Sequence, residues 1–394
     1  MKILMLTPYL PYPLYSGGQI RTYNLLKNLA QHHEITLFSF IRHEEENEHI
    51  SELLKFCKEV KTFKRRSAWS LINVFLAGLT PYPFLVSIYL SLTLRHAIKE
   101  ELSKNHYDLI HSETFYVMPN IPQTSVPVLL VEQTIEFLVY EHFVKQVILP
   151  LRLLLRFDVL KIKAWETYFW KKAQRVVAMS EADSLVMQKT ISNLEVAIIP
   201  NGVDIKLFSQ KKRKKTKTPR ILFVGNFKWL QNKEAVLILI RDIWPRIRKK
   251  NKDIELWIVG RYPPDEIKTS SGRDNIIIDD SVGDISTAYA VSSVLLAPIY
   301  GPGGTRYKIL EAMASGLPVV TTTKGIEGLG AVDEKEVVIR ESPKSLADAT
   351  LAVIEKKSLA EKLAFNSKAF IQRNYQWEDI AKKLDQLYRE VGRG

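Results

Sequence analysis

Apolar residues run together at 3–6, near the start of the chain. A proline-rich stretch follows and ends in Ser16-Gly17-Gly18. Apolar positions then recur at helical spacing, with Ile20, Leu25, Leu26 and Leu29 on one side of a helix predicted over 19–30. A second apolar run, 35–40, predicts the next strand. Strand, helix and strand in this order make a β-α-β unit, the opening of a doubly wound parallel sheet. The pattern restarts late in the chain. A strand over 220–224 ends at Gly225, a helix is predicted over 232–248, and a strand over 254–259 ends at Gly260. Further strands are predicted at 275–278 and 294–297, and a final helix over 377–391. Between the halves lies KKRKKTK, residues 211–217, expected to be a solvated basic linker within 205–219. The chain therefore reads as α/β with two Rossmann-like domains, over 1–200 and 201–376.

Two stretches are unusually apolar. Residues 68–94 contain Pro81 and Pro83, so they cannot form one uninterrupted helix. Residues 137–170 mix Leu, Ile, Phe and Trp with Arg152, Arg156, Lys161 and Lys163, and Lys171 and Lys172 follow. A basic amphipathic surface of this kind can lie on an anionic bilayer. A core-packed helix with exposed lysines gives the same pattern. Neither stretch makes a clean membrane span.

Composition narrows the class. The 394 residues are 46% hydrophobic and 25% charged, the balance of a soluble globular protein of two domains. One cysteine, Cys57, leaves no internal disulfide, which fits a reducing, cytoplasmic setting. The net charge of +13 suits nucleic acid, an anionic membrane or phosphorylated ligands. Zinc-ligand spacing, RNA-binding signatures and helix-turn-helix patterns are all missing, so nucleic acid is not expected as a partner. The first glycines do not spell the dinucleotide fingerprint, so nicotinamide and flavin cofactors are not expected either.

The densest chemistry lies in YGPGGTRYKILEAMASGLPVV, residues 300–320. Gly301, Gly303 and Gly304 make a loop whose backbone can approach a ligand closely. Thr305 stands where an N-cap belongs. Ile309, Leu310 and Met313 then follow at helical spacing, Gly316 and Pro318 end the helix, and Val319 and Val320 begin a buried strand. A glycine loop feeding a helix N-terminus is an anion site, because free N–H groups and the positive dipole end favour phosphate. Arg306 and Lys308 add cations where they oppose the dipole at a cost of about 0.3–1 kcal/mol each. A bound phosphate would reverse that penalty. Glu311, one turn beyond Lys308, can accept hydrogen bonds from sugar hydroxyls. Lys308 and Glu311 could instead be an ordinary surface pair, but that would leave the basic residues beside three glycines unexplained.

This segment resembles the C-terminal signature of glycosyltransferase family 4, the retaining group 1 sugar transferases of GT-B fold, in a branch carrying GTR-x-K-x-x-E-A-M. The resemblance implies two Rossmann-like domains facing a central cleft, with the final helix, 377–394, packing back onto the first. It implies a nucleoside diphosphate sugar held by Gly303, Gly304, Thr305, Arg306, Lys308 and Glu311, with Gly17, Gly18, Gly225 and Lys228 as further donor-side candidates. It also implies a hydroxyl acceptor on the N-terminal domain, lipid-linked if the membrane reading of 137–172 holds, in cell-surface polysaccharide or glycolipid synthesis. On that reading the protein is peripheral on the inner face of the plasma membrane.

The chain departs from the family pattern in several places. The wider family has a glutamate eight residues before Glu311, where this chain has Gly303. An arginine and a lysine of the diphosphate site are replaced by Asn226 and Gln231. DLIHSE, 108–113, is similar to the family's D-x-x-H-x-H region, with Glu113 at the second histidine, so His111 and Glu113 are the catalytic candidates. For His111 a satisfied strand-end histidine is the competing reading. Glu132, Gln133 and Glu136 follow a strand over 127–131 and could bind acceptor hydroxyls or cap the next helix. Asn201-Gly202-Val203-Asp204 matches the family's interdomain turn. Asp279-Asp280 lacks the D-x-D spacing of metal-dependent transferases and no histidines pair at i, i+4, so neither a catalytic metal nor another cofactor is expected. A GT-B nucleotide-sugar epimerase and a non-catalytic nucleotide-sugar or polyanion-binding protein remain the alternatives.

Overall fold

The computed structural model describes residues 1–211, 213–214 and 216–392. The chain divides into two compact units, Met1–Asn201 with Trp377–Gly394, and Gly202–Gln376.

In the first unit β1 (Lys2–Thr7), β2 (Glu34–Ile41), β3 (Glu59–Lys64), β4 (Leu109–Glu113), β5 (Val128–Val131), β6 (Arg175–Ala178) and β7 (Val196–Ile198) form one sheet. Their order is β3-β2-β1-β4-β5-β6-β7 and every pairing is parallel. β1 and β4 are buried along nearly their whole length, as parallel strands covered on both faces must be. The helices that matter below are α1 (Gly17–Leu29), α2 (Leu71–Leu79), α3 (Glu136–Lys145) and α4 (Leu149–Lys172). The last helix, Trp377–Val391, buries Ile380, Leu384, Leu387 and Tyr388, one side at helical spacing.

The second unit repeats the plan. β8 (Arg220–Val224), β9 (Glu255–Val259), β10 (Ile276–Asp279), β11 (Val294–Ala297), β12 (Val319–Thr321) and β13 (Val338–Ile339) run parallel in the order β10-β9-β8-β11-β12-β13. Two of its helices position the candidate site, α5 (Leu230–Ile238) and α6 (Tyr307–Ser315). In both units the strand order reverses beside the first strand, between β1 and β4 and between β8 and β11. Ligands of doubly wound sheets bind at such switch points, outside the carboxyl ends of the strands.

The local predictions are adjusted at four places. α1 starts at Gly17, so both glycines lie in its first turn, and the Ser16 hydroxyl accepts from the Gln19 amide at its N-cap. The helix predicted over 232–248 is interrupted at Leu239–Ile243, where the Trp244 amide donates to the Leu239 carbonyl. Pro245 follows directly and has no amide to continue the α ladder. The residue before α6 is Arg306, not Thr305, and it makes no side-chain cap bond. The basic run is not a solvated linker throughout. Ile205–Gln210 is helical, Lys211 pairs with Asp284, and the Arg213 guanidinium donates to the carbonyls of Gly316 (3.0 Å) and Ser292 (2.6 Å). Lys212 and Lys215 of that run lie outside the described residues, as do the last two positions of the predicted 377–394 helix.

Candidate functional site

The loop from β11 to α6 and the loop from β8 to α5 leave the carboxyl ends of adjacent strands at the second unit's switch point. Gly303 has φ +147°, a conformation side chains disfavour, and a Cβ there would stand 2.6 Å from Arg306 Nη1 and 3.0 Å from Gln231 Nε2. The Arg306 guanidinium thus occupies the volume that a glutamate at 303 would need. Arg306 is buried, and its Nη2 donates to the Gly301 carbonyl at 2.8 Å. Among the described residues no hydrogen bond is donated by the amides of Gly303, Gly304 or Thr305.

Lys308 points inward. Its ammonium donates to Asn232 Oδ1 at 2.6 Å and lies 4.4 Å from the centre of the Phe223 ring. Asn232 in turn donates to the Asn226 carbonyl at 2.8 Å, which ties the β8–α5 loop to α6. Burial and then the Arg306 charge bring the Lys308 pKa down to about 7, with Glu311 opposing both. Glu311 accepts from the Tyr289 hydroxyl at 2.7 Å. Burial raises its pKa against the pull of Tyr289 and Lys308. Two buried basic side chains thus stand beside a carboxylate whose ionisation burial disfavours.

Gly225 packs under Asn232, where a Cβ would lie 3.1 Å from the carboxamide carbon. Lys228 stands exposed with its ammonium 3.8 Å from the Tyr262 ring centre. The structure therefore brings Gly303, Gly304, Thr305, Arg306, Lys308 and Glu311 together with Gly225, and leaves Lys228 on the surface. Asn232 and Tyr289 complete the set and were not singled out in the sequence. Their partners lie 76 and 22 residues away, so local pattern carries no signal for either.

At the first unit's switch point a polar chain runs from Tyr9, just after β1, to the last helix. Gln133 Nε2 donates to the Tyr9 hydroxyl (2.5 Å) and to Glu113 Oε2 (2.7 Å), and Glu113 Oε1 lies 3.2 Å from His111 Nε2. His111 Nδ1 lies 2.5 Å from the Tyr388 hydroxyl. An ionised Glu113 can only accept, so Nε2 carries the proton and Nδ1 accepts from Tyr388. Gly18 allows α1 to approach this chain, because a Cβ there would meet the Tyr9 hydroxyl at 2.4 Å and Gln133 Oε1 at 2.6 Å. Gly17 precedes it in the same turn.

Three of the candidate residues are enclosed by these and neighbouring contacts. His111 and Glu113 are fully buried and spend their hydrogen bonds within the protein, the arrangement of a satisfied strand-end histidine. Burial opposes ionisation of Glu113, but His111, Arg21 and Gln133 outweigh it and hold the carboxyl below its ordinary value. Glu132 is likewise buried and accepts from Trp170 Nε1 at 3.0 Å, and burial and the charge of nearby Glu166 push its pKa well above the ordinary value. The cap of α3 comes from Glu166, which accepts from the amides of Glu136 (2.9 Å) and Phe137 (3.0 Å). Glu136 is half-buried, and burial raises its pKa to about 7 against the Thr134 hydroxyl bond. Of the three acceptor candidates, Gln133 and Glu136 retain partial exposure. Among the described residues no cluster of three His, Cys, Asp or Glu side chains is placed to hold a metal ion.

Two doubly wound units, each an all-parallel Rossmann-like sheet, define the GT-B class of fold. Residues 15–207 match the family described as Glycosyltransferase Family 4, and residues 218–356 match Glycosyl transferases group 1. The chain belongs to this family of glycosyltransferases. It is 28% identical over 212 residues to a phosphatidyl-myo-inositol mannosyltransferase of Mycobacterium tuberculosis, a match covering 49% of this chain and 53% of the relative. The matched part is thus about half the length of that curated relative. In fold the chain resembles the sucrose-phosphate synthase of Thermosynechococcus elongatus, with a TM-score of 0.69, 18% identity and 99% of each chain covered. It also resembles HepE of Anabaena, solved in complex with UDP and glucose, with a TM-score of 0.67, 16% identity, and 99% of this chain and 100% of that one covered.

Proposed function

We propose that the protein transfers a sugar, with retention, from a nucleoside diphosphate sugar to a hydroxyl acceptor in the synthesis of a cell-surface polysaccharide or glycolipid. The observation that carries this is the pairing of buried Arg306 and Lys308 at the mouth of the glycine loop, with Glu311 one turn further on α6. A diphosphate would bring negative charge to these two basic side chains, and a ribose would find its hydroxyl acceptor in Glu311. HepE, solved with UDP, makes a uridine diphosphate the first nucleotide to try.

In the reaction the bond between the anomeric carbon and the diphosphate oxygen breaks as the bond to the acceptor oxygen forms. Charge grows on the leaving diphosphate and on an oxocarbenium-like sugar. Arg306, Lys308 and the amides of the Gly303–Thr305 loop are fixed where the leaving-group charge develops, which is the main contribution a preorganised site can make. The acceptor proton passes to the departing phosphate oxygen, so no protein nucleophile or metal is required. The first unit is left to supply the acceptor surface, with Gln133 and Glu136 as its remaining candidates.

Incubation with a panel of nucleoside diphosphate sugars, with and without hydroxyl acceptors, tests this reading. A thermal shift with one nucleotide class and a glycosylated product only when acceptor is present are expected. An epimerised donor in the absence of acceptor would make the protein an isomerase. Binding without turnover on any acceptor would make it a nucleotide-sugar-binding protein.

A further inference from the structure

α2 reads LINVFLAGL, nine residues without a charge. A helix of that composition normally sinks into a core. Here only Asn73 is buried, and Leu71 is 86% exposed. Trp69, just before it, is 81% exposed. The first half of α4 behaves in the same way, with Leu153, Leu154 and Phe157 all exposed. Of the 28 large apolar side chains exposed among the described residues, 13 fall within 69–79 and 148–160. Scattered exposure needs no explanation, but concentration of this degree marks an interaction surface.

The two segments are fixed to each other by polar bonds. Lys161 donates to the carbonyls of Ala77 (2.7 Å) and Thr80 (2.8 Å), at the end of α2. Trp165 Nε1 donates to the Pro81 carbonyl at 2.9 Å, and Asp158 accepts from the Phe84 amide at 2.9 Å. The apolar face is thus built and held outward.

Its charge setting selects the partner. No Asp or Glu occurs between Glu59 and Glu100. Between Glu141 and Glu166 the sole acid is Asp158, already bonded, against Lys145, Arg152, Arg156, Lys161 and Lys163. A second copy of the chain would bring these cations against one another. An anionic bilayer gains from both the apolar face and the positive rim. Aromatic rings stand at the border of the face, as they do at membrane interfaces: Trp69, the Tyr82–Trp165 pair at 4.9 Å, and Tyr168. Exposed Lys171 and Lys172 follow on the same helix. A helix of nine residues is about 13 Å long, far short of a hydrocarbon core of about 30 Å. No helix among the described residues is long and apolar enough to cross a membrane.

We infer that the protein docks on an anionic bilayer through α2 and the first half of α4, which enter the boundary between headgroups and acyl chains. This surface lies in the first unit and its binding requires no sugar chemistry, so it stands or falls apart from the proposed transferase activity. Where both hold, an acceptor carried on a lipid is the class the protein would meet.

The test is co-sedimentation of the full chain, without donor, with vesicles of phosphatidylcholine alone or mixed with phosphatidylglycerol, at low and moderate salt. Pelleting with the anionic vesicles only, weakening with salt, is expected. The double variant Phe75→Asp/Leu154→Asp should remain in the supernatant with an unchanged melting temperature, since both side chains are exposed. In the unmodified protein, brominated acyl chains should quench an emission component that Trp69→Phe removes, a readout that does not depend on how the double variant folds. Wild-type protein left in the supernatant with anionic vesicles at low salt overturns the proposal, as does absence of Trp69 quenching. A wild-type dimer that the double variant converts to a monomer would assign the face to a second copy instead.

Discussion

The Tyr388 hydroxyl lies 2.5 Å from Nδ1 of His111, so the last helix of the chain is hydrogen-bonded to the central strand β4, 277 residues earlier. Both side chains are fully buried. Removing the hydroxyl leaves the imidazole nitrogen without a partner and out of reach of water. Tyr388→Phe should therefore lower stability by about 1–3 kcal/mol, the usual cost of an unsatisfied buried polar group. Urea unfolding of the two proteins, with the m-value unchanged, measures it. An unaltered midpoint would show that the contact contributes nothing.

The same chain predicts an acid dependence. The folded-state pKa of Glu113 is held below its ordinary value, so the unfolded chain takes up the proton first as pH falls. The stability this carboxylate contributes is fully present above its ordinary pKa, about 4.3, and is lost as pH drops through the lower folded value. Glu113→Gln should be less stable than wild type at neutral pH, and the difference should shrink on acidification below about pH 4. Chemical unfolding at a series of pH values would show it. A gap that stays constant down to pH 3 would mean that Glu113 is not ionised in the native protein.

Arg306→Ala removes a guanidinium whose proposed ligand is a phosphate. A charge-assisted contact of about 2–3 kcal/mol corresponds to a loss of about two orders of magnitude in kcat/KM. The Gly301 carbonyl loses its Arg306 bond, but it lies in a loop, so only a small fall in melting temperature is expected. Steady-state kinetics on the donor identified by the panel would read the effect. Unchanged kinetics would remove Arg306 from the site.

Turnover should persist in excess EDTA, because the cations proposed to face the diphosphate are side chains. Loss of activity in chelator, restored by Mn²⁺ or Mg²⁺, would overturn that account of the leaving-group site.

How far these residues can be read from sequence depends on whether their partners are local. The strands of both units are short apolar runs bounded by glycine or polar residues, and the β-α-β rhythm restarts at Arg220, so the paired α/β architecture was legible. The 301–311 segment was legible for the same reason, since its loop, cations and carboxylate lie within a few turns of one another. Asn232 was not, because what distinguishes it is an ammonium 76 residues away. The enclosure of His111 and Glu113 depends on Tyr9, Gln133 and Tyr388, drawn from three distant segments. The outward face of α2 was hidden too, since an uncharged nine-residue run reads as core until the structure shows what it packs against.

Lys308 supplies the most specific prediction. Its ammonium is buried beside Arg306, and its pKa has come down to about 7. Near neutral pH a fraction of the protein therefore carries it uncharged. A bound diphosphate places negative charge next to it, raises its pKa and draws in a proton. Binding measured by calorimetry at about pH 8 should accordingly show net proton uptake in buffers of differing ionisation enthalpy, and affinity should fall as pH rises above about 7. Lys308→Met keeps much of the buried stem and removes the charge. In the absence of ligand this variant should match or exceed the wild type in melting temperature, because an unneutralised buried cation disfavours the native state. With nucleoside diphosphate its stabilisation should be smaller than that of wild type, and the proton uptake should vanish. Equal proton uptake by wild type and Lys308→Met would show that the titrating group lies elsewhere and that Lys308 holds α6 against Asn232 without facing the ligand.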